Sequence, residues 1–202
     1  MAKQVRNPAN PGQNDRSLAI GMSYVGVGTY PGAGVPATTL TQITDISAGS
    51  VVFNFAEPNQ INIMIEGTDE PRWSVSRKGD VSNIEFAIPS PFAEDMVMFC
   101  GGVNNEGTWE EPTAVPSINL TLKMITEPYQ GKYTEYVITN AAIFARLSQA
   151  PTKEASELLL VRATKQIAMD ATGNMKPAFT RTVKTAPTQE ETSTVKTNTQ
   201  EE

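Results

Sequence analysis

Residues 81–102 read Val81-Ser-Asn-Ile-Glu-Phe-Ala-Ile-Pro-Ser-Pro-Phe-Ala-Glu-Asp-Met-Val-Met-Phe-Cys-Gly-Gly102. The first half alternates. Ile84, Phe86 and Ile88 fall on one face, Glu85 and Ala87 on the other, which is the period of a strand with one buried side. The second half changes period. Ser90 stands where an N-cap belongs, and Pro91 where a first helical residue needs no N–H donor. Glu94 and Asp95 lie near the positive end of the helix dipole. Phe92, Met96, Phe99 and Cys100 then make an apolar stripe at i, i+4, i+7 and i+8, and Gly101-Gly102 stops the helix. The stretch predicts one strand feeding one short helix over about residues 91–100, with Phe92, Met96, Phe99 and Cys100 as its core face.

Strand-like alternation extends in both directions. Segments near 18–27, 37–46, 50–56, 60–66, 72–77, 81–88, 117–126, 132–147 and 156–169 read as strands. Ile61, Ile63 and Ile65 alternate with Asn62, Met64 and Glu66, and Ile118, Leu120, Leu122 and Met124 alternate with Asn119, Thr121, Lys123 and Ile125. Turn signals separate them at Pro31-Gly32-Ala33-Gly34, Glu57-Pro58-Asn59, Lys78-Gly79-Asp80 and Gln130-Gly131. Residues 156–169 have the composition of a helix and the Leu/Val run of a strand buried on both faces; the strand is preferred. The expected fold is mainly β, a β-sandwich or partial barrel with one short flanking α-helix and extended N- and C-terminal arms. No internal repeat is evident.

The chain of 202 residues suits one domain with tails. Residues 1–16 hold Asn, Pro, Gly and Gln with a single valine and read as an arm. Residues 17–175 form the β domain. Residues 176–202 read as a flexible Thr/Glu-rich tail, since 182–202 contains seven threonines, four glutamates and no Leu, Ile or aromatic residue. No apolar run reaches the ~18 residues of a membrane span, and the first residues lack the apolar stretch of a signal peptide, so the expectation is a soluble, unexported chain.

Composition also restricts the chemistry. Histidine is absent, which removes His-dependent triads, the usual zinc sites and the commonest general base near neutral pH. The one cysteine, Cys100, excludes an internal disulfide and Cys-based metal clusters, and its place on the helix stripe marks it as a buried thiol. Net charge is −6, unsuited to gripping nucleic acid phosphates. Gly26, Gly28, Gly32 and Gly34 run into Tyr30-Pro31 and Pro36 with no helix behind them, and read as turn glycines rather than a phosphate loop. The acidic pairs Asp69-Glu70, Glu94-Asp95 and Glu110-Glu111 belong to exposed loops or to the helix dipole, and the Asp69–Asp80 stretch lacks EF-hand spacing. No catalytic, cofactor-binding or metal-ligating residue is assigned, and no enzymatic activity is expected.

Two long connections remain: Gly67-Thr-Asp-Glu-Pro-Arg-Trp73, and Gly101 to Pro116 with Trp109 and Glu110. Loops of that length are usually functional or disordered. Asp69, Glu70, Arg72, Trp73, Trp109 and Glu110, with Phe179 and Arg181 from the stretch before the tail, are the subunit-interface candidates, tryptophan being enriched at hot spots. The alternative for each tryptophan is that it folds back over its own domain.

The order of elements in Lys78–Gly102 (turn, alternating strand, Ser/Pro-started helix, Gly-Gly stop) resembles that of the major tail tube proteins of long-tailed bacteriophages. Tyr136-Val-Ile-Thr-Asn-Ala-Ala142 and Leu158–Gly173 are similar to that family's closing hairpin, so the resemblance spans about residues 18–175. It also fits the tube proteins of contractile tails. The resemblance implies a structural virion protein, made in the host cytoplasm, that assembles as stacked hexameric rings. It further implies tape-measure and tail-tip or terminator partners, and a lumen through which DNA passes without specific binding. Six copies at −6 give about −36 per ring, a charge that repels DNA phosphates wherever it lines a channel. The alternatives are another tail part on the same fold, such as a completion or hub protein, and a carbohydrate-binding β-sandwich with Trp73 and Trp109 as its platform.

Overall fold

The computed structural model describes residues 18–67, 69–77 and 79–186; the predicted arm over 1–16 and the last part of the predicted tail, 187–202, lie outside them. The chain is mainly β with one helix. Its strands are β1 (Ile20–Thr29), β2 (Thr41–Ile43), β3 (Val52–Asn54), β4 (Asn59–Ile63), β5 (Trp73–Arg77) and β6 (Asn83–Pro89). After helix α1 (Ala93–Cys100) come β7 (Val103–Asn105), β8 (Thr108–Glu110), β9 (Ile118–Glu127), β10 (Lys132–Gln149), β11 (Leu158–Lys165), β12 (Ala168–Met169), β13 (Met175–Lys176) and β14 (Phe179–Thr185).

Seven strands form an open sheet in the order β2-β1-β9-β10-β11-β6-β3, and β14 joins it by pairing with β10; all these pairs are antiparallel. The sheet is long and not closed. It curls nonetheless: β3 stands three strand spacings from β10, about 14 Å in a flat sheet, yet the Phe53 and Tyr136 rings lie 5.2 Å apart and Phe55 and Phe179 5.0 Å apart. The expected partial barrel is the closer description of this open, curled sheet.

One face carries the core, and period-two alternation puts it there. Val25, Val27, Leu122, Met124, Ile138, Ile143, Leu159, Val161, Ala163, Ile84, Phe86 and Ile88 are buried on it. Helix α1 covers part of this face. Phe99 is 1% exposed and meets Phe86 edge-on at 5.9 Å, with Met96 buried beside it. Part of the opposite face is closed by a polar layer. Thr121 Oγ1 accepts the Ala37 N–H at 2.9 Å and donates to Thr139 O at 2.8 Å, while Asn140 Nδ2 donates to Ile167 O.

The helix is shorter than its sequence pattern implies. Ser90 adopts φ 45°, in the left-handed region, and donates its N–H to Glu157 O, so it cannot serve as N-cap. Phe92 takes that position, and its N–H is received by the Asp95 carboxylate at 3.0 Å. A residue at the N-cap precedes the helical stripe, and Phe92 is accordingly 68% exposed rather than in the core. The Gly-Gly stop is as expected: Gly101 caps the helix with its N–H on Val97 O, and a Cβ on Gly102 would sit 2.1 Å from Glu110 O.

A second correction concerns the C-terminus. Residues 179–185, placed in the flexible tail by their composition, form β14 and pair in register with β10 from Ile138↔Phe179 to Lys132↔Thr185. Phe179-Thr-Arg-Thr-Val-Lys-Thr185 alternates and is rich in β-branched residues, and the ladder with β10 supplies what burial alone would not. Leu158–Lys165 forms a strand, as expected within residues 156–169.

Replacing Phe99 by alanine is expected to cost about 3–5 kcal/mol, as for a fully buried ring, and Phe92→Ala to stay within about 0.5 kcal/mol, as for an exposed side chain. Urea denaturation of the two variants against the parent chain checks both.

Candidate assembly surfaces

The β4–β5 hairpin is a sheet of its own. It leaves the body where Gly79 approaches Glu57 so closely that a Cβ would stand 1.8 Å from Glu57 O, and where the Ala56 N–H meets Ser82 Oγ. All ten residues of its two strands are exposed. The register Ile61↔Val75 and Ile63↔Trp73 gathers four apolar side chains on one face. Gln60↔Ser76 and Asn62↔Ser74 put polar groups on the other, where Ser74 Oγ donates to Asn62 Oδ1 at 2.7 Å. Ile61, Ile63, Trp73 and Val75 are between 44 and 52% exposed. An amphipathic hairpin with its apolar face in water is a surface awaiting cover.

The predicted interface residues of the first loop sit at the far end of this hairpin. Asp69, Glu70 and Arg72 line a shallow depression with Ile65, and the Arg72 guanidinium lies 4.6 Å from the Trp73 ring centroid. Sequence reasoning found this tip but not the Ile61–Val75 face behind it. Alternation announces two faces in each strand; it carries no sign that neither is covered by the rest of the described residues.

Trp109 behaves differently. It lies on β8, and its indole N–H donates to Gly101 O at 2.7 Å while its ring packs against the core. It therefore folds back over its own domain, and Trp73 and Trp109 do not both present exposed rings. Glu110 remains exposed on the β7–β8 hairpin. Cys100 is half-buried, and burial, assisted by the Glu111 charge, raises its thiol pKa above the ordinary value.

Phe179 and Arg181 serve the chain's own β14. Phe179 joins Phe53, Phe55 and Tyr136 in an aromatic cluster, with Lys165 over the Phe55 ring at 4.2 Å and Arg181 over Tyr136 at 5.9 Å. On the opposite face of the strand Lys184 joins Lys123 in gripping Glu135, at 3.0 and 2.9 Å. Burial pushes the Glu135 carboxyl up, but the hydrogen bonds and charges of Lys123 and Lys184 outweigh it and hold the group below the usual carboxylate range. The outer border of β14 carries no strand among the described residues; neither do the outer borders of β2 and β3.

No protein-family model matches the chain, and no curated protein matches it. Among the described residues no three His, Cys, Asp or Glu side chains gather as a metal site, and no helix is long and apolar enough to cross a membrane.

Glu135→Gln tests the grip on β14. A carboxyl held below its unfolded pKa contributes stability above that value, about 4.3, and loses the contribution as pH falls through the lowered one. The variant is expected to be about 1–3 kcal/mol less stable than the parent at pH 7. The difference is expected to shrink toward zero as the buffer is taken below pH 4, read by urea denaturation at each pH.

Proposed function

We propose that this chain is a structural subunit that assembles with copies of itself into stacked rings, as the phage tail tube resemblance implies. The observation that carries the reading is the β4–β5 hairpin, an amphipathic element whose apolar face is uncovered among the described residues. The outer borders of β2, β3 and β14, which carry no strand among the described residues, add to it. Short or charged edge strands keep such borders from indiscriminate pairing, and Arg181 and Lys184 on β14 are of that kind. Pairing borders between copies removes them altogether, and a head-to-tail contact whose rotation closes gives a ring. The role is mechanical: to hold a hollow shape, with DNA passing through the lumen unbound and tape-measure and tail-tip or terminator proteins at its ends.

A carbohydrate-binding module is less well supported, because its platform needs both tryptophans outward and Trp109 is turned in.

Electron microscopy of the purified full chain at high concentration is expected to show rings or tubes. Ile63→Lys or Val75→Lys is expected to abolish them while moving the melting temperature of the monomer little, since both side chains already face water. A chain that stays monomeric in sedimentation, or tubes indifferent to both substitutions, overturns the reading.

A further inference from the structure

The molecule has two dissimilar ends. At one, Ile20 pairs with Glu127 and Ala186 donates its N–H to Gly131 O, so the described residues begin and end beside the β9–β10 turn, where residues 1–17 and 187–202 join them. At the other, a groove of about 550 Å³ opens between α1, β8, the 111–116 connection and the end of β10. Met96, Phe99, Cys100, Trp109, Val115 and Leu147 line it, and Val115 is 90% exposed. Along this groove β10 has a free border. Its pairing with β9 ends at Ile143↔Ile118, whereas its pairing with β11 runs on to Gln149↔Leu158. From Phe144 to Gln149 the β9 side of β10 carries no strand among the described residues. An apolar groove beside an open border of about six residues is the geometry that accepts an extended peptide as an added strand.

Charge selects the peptide. Residues 93–111 at this end carry Glu94, Asp95, Glu106, Glu110 and Glu111, with no Lys or Arg anywhere between Lys78 and Lys123. Arg146 is the one cation in the lining. Of the two segments leaving the opposite end, 187–202 holds four glutamates against Lys196, and 1–17 holds Lys3, Arg6 and Arg16 against Asp15. The basic segment suits an acidic end. It also begins with a run free of proline, Met1 to Asn7, with Val5 its β-branched apolar side chain, before Pro8 and Pro11 forbid regular pairing.

Length argues for a neighbour's groove rather than the chain's own. Reaching back along β9 to Ala145 spans about 40 Å at ~3.3 Å per residue. The thirteen residues from Val5 to Ser17 span about that distance only when drawn taut, and the two prolines favour a shorter rise of ~3.1 Å. In a head-to-tail pair the exit of one copy faces the groove of the next, and no such stretching is required.

We propose that residues 1–7 of one copy lie as an added strand along Phe144–Gln149 of the next, with Val5 in the groove beside Cys100 and with Lys3 and Arg6 against its acidic rim. The inference rests on the self-assembly reading and gives it a direction and a named contact.

The native Cys100 supplies the test. In the full chain carrying Val5→Cys, oxidation with copper-phenanthroline at mildly alkaline pH is expected to convert the monomer band to a ladder of covalent multimers on a non-reducing gel. The ladder is expected to disappear when Cys100→Ser is added. Absence of a bridge, or dimers that persist with Cys100→Ser, overturns the proposal, and so does an internally bridged monomer. A second measurement avoids the new cysteine: Lys3→Glu with Arg6→Glu is expected to raise the concentration needed for assembly at least tenfold at low salt, and Glu110→Lys with Glu111→Lys to restore it. Failure of that rescue also overturns the contact. Tubes of the Val5→Cys chain that form without a bridge to Cys100 leave the tube reading intact and remove this one; a ladder from material that forms no tubes does the reverse.

Discussion

The fold depends on one long strand serving two partners along the same border. β10 gives its first seven residues to β14 and, from Ala141, passes that border to β11. The exchange takes place at a bulge, where the register against β9 shifts between Ile138 and Ala141. Thr139 and Asn140, the residues within it, are anchored to both connections. Thr139 donates its N–H to Ala178 O and its hydroxyl to Pro177 O, and Asn140 O accepts the Gln166 N–H. The two connections that would compete for this border are thus each tied at the point of exchange. Without the bulge β11 would run on past Ala141 and leave β14 no place. With it, the last described strand returns to the end of the sheet where the first one starts.

Much of this architecture is legible in the sequence, and the exceptions have definite physical causes. Each of the nine expected strand segments overlaps an observed strand, because period two is imposed by the pleat and survives differences in length. β14 is hidden because its partner is remote in sequence. Thr180, Thr182 and Thr185 look like part of the Thr/Glu-rich tail until β10 is seen beside them. The helix start is misplaced for a local reason: Ser90 and Phe92 both precede a turn, and only the left-handed backbone of Ser90, tied to Glu157 from a distant loop, decides which of them caps. The candidate surfaces are legible in part. Asp69, Glu70, Arg72 and Trp73 do stand out in water, whereas the direction of Trp109 is set by Gly101 O, which no spacing rule announces.

What alternation cannot convey is whether a face has a cover. Ile84, Phe86 and Ile88 alternate as Ile61 and Ile63 do, yet the first set is sealed by β11, β10 and α1, while the second stands in solvent opposite Trp73 and Val75. The difference lies in topology. β6 is an interior strand of the large sheet, and β4 and β5 form a hairpin joined to the body at its base. The core and the hairpin are therefore separate apolar surfaces, and in the proposed assembly substitutions on the hairpin would act on association rather than on the core.

In the proposed assembly the distribution of charge would then restrict how copies meet. In the later part of the chain four cations are spent on internal ion pairs: Lys123 and Lys184 on Glu135, Arg162 on Glu85, Lys176 on Asp170. Residues 93–111 place five carboxylates toward the groove end, with no Lys or Arg between Lys78 and Lys123. Two groove ends brought face to face would set these carboxylates against one another, at a cost that falls only as salt screens it over about 8–10 Å. A symmetric pair through that end is disfavoured, and contact between unlike ends remains. In the proposed assembly such a contact, repeated, would close as a ring or continue as a stack, according to the rotation between copies.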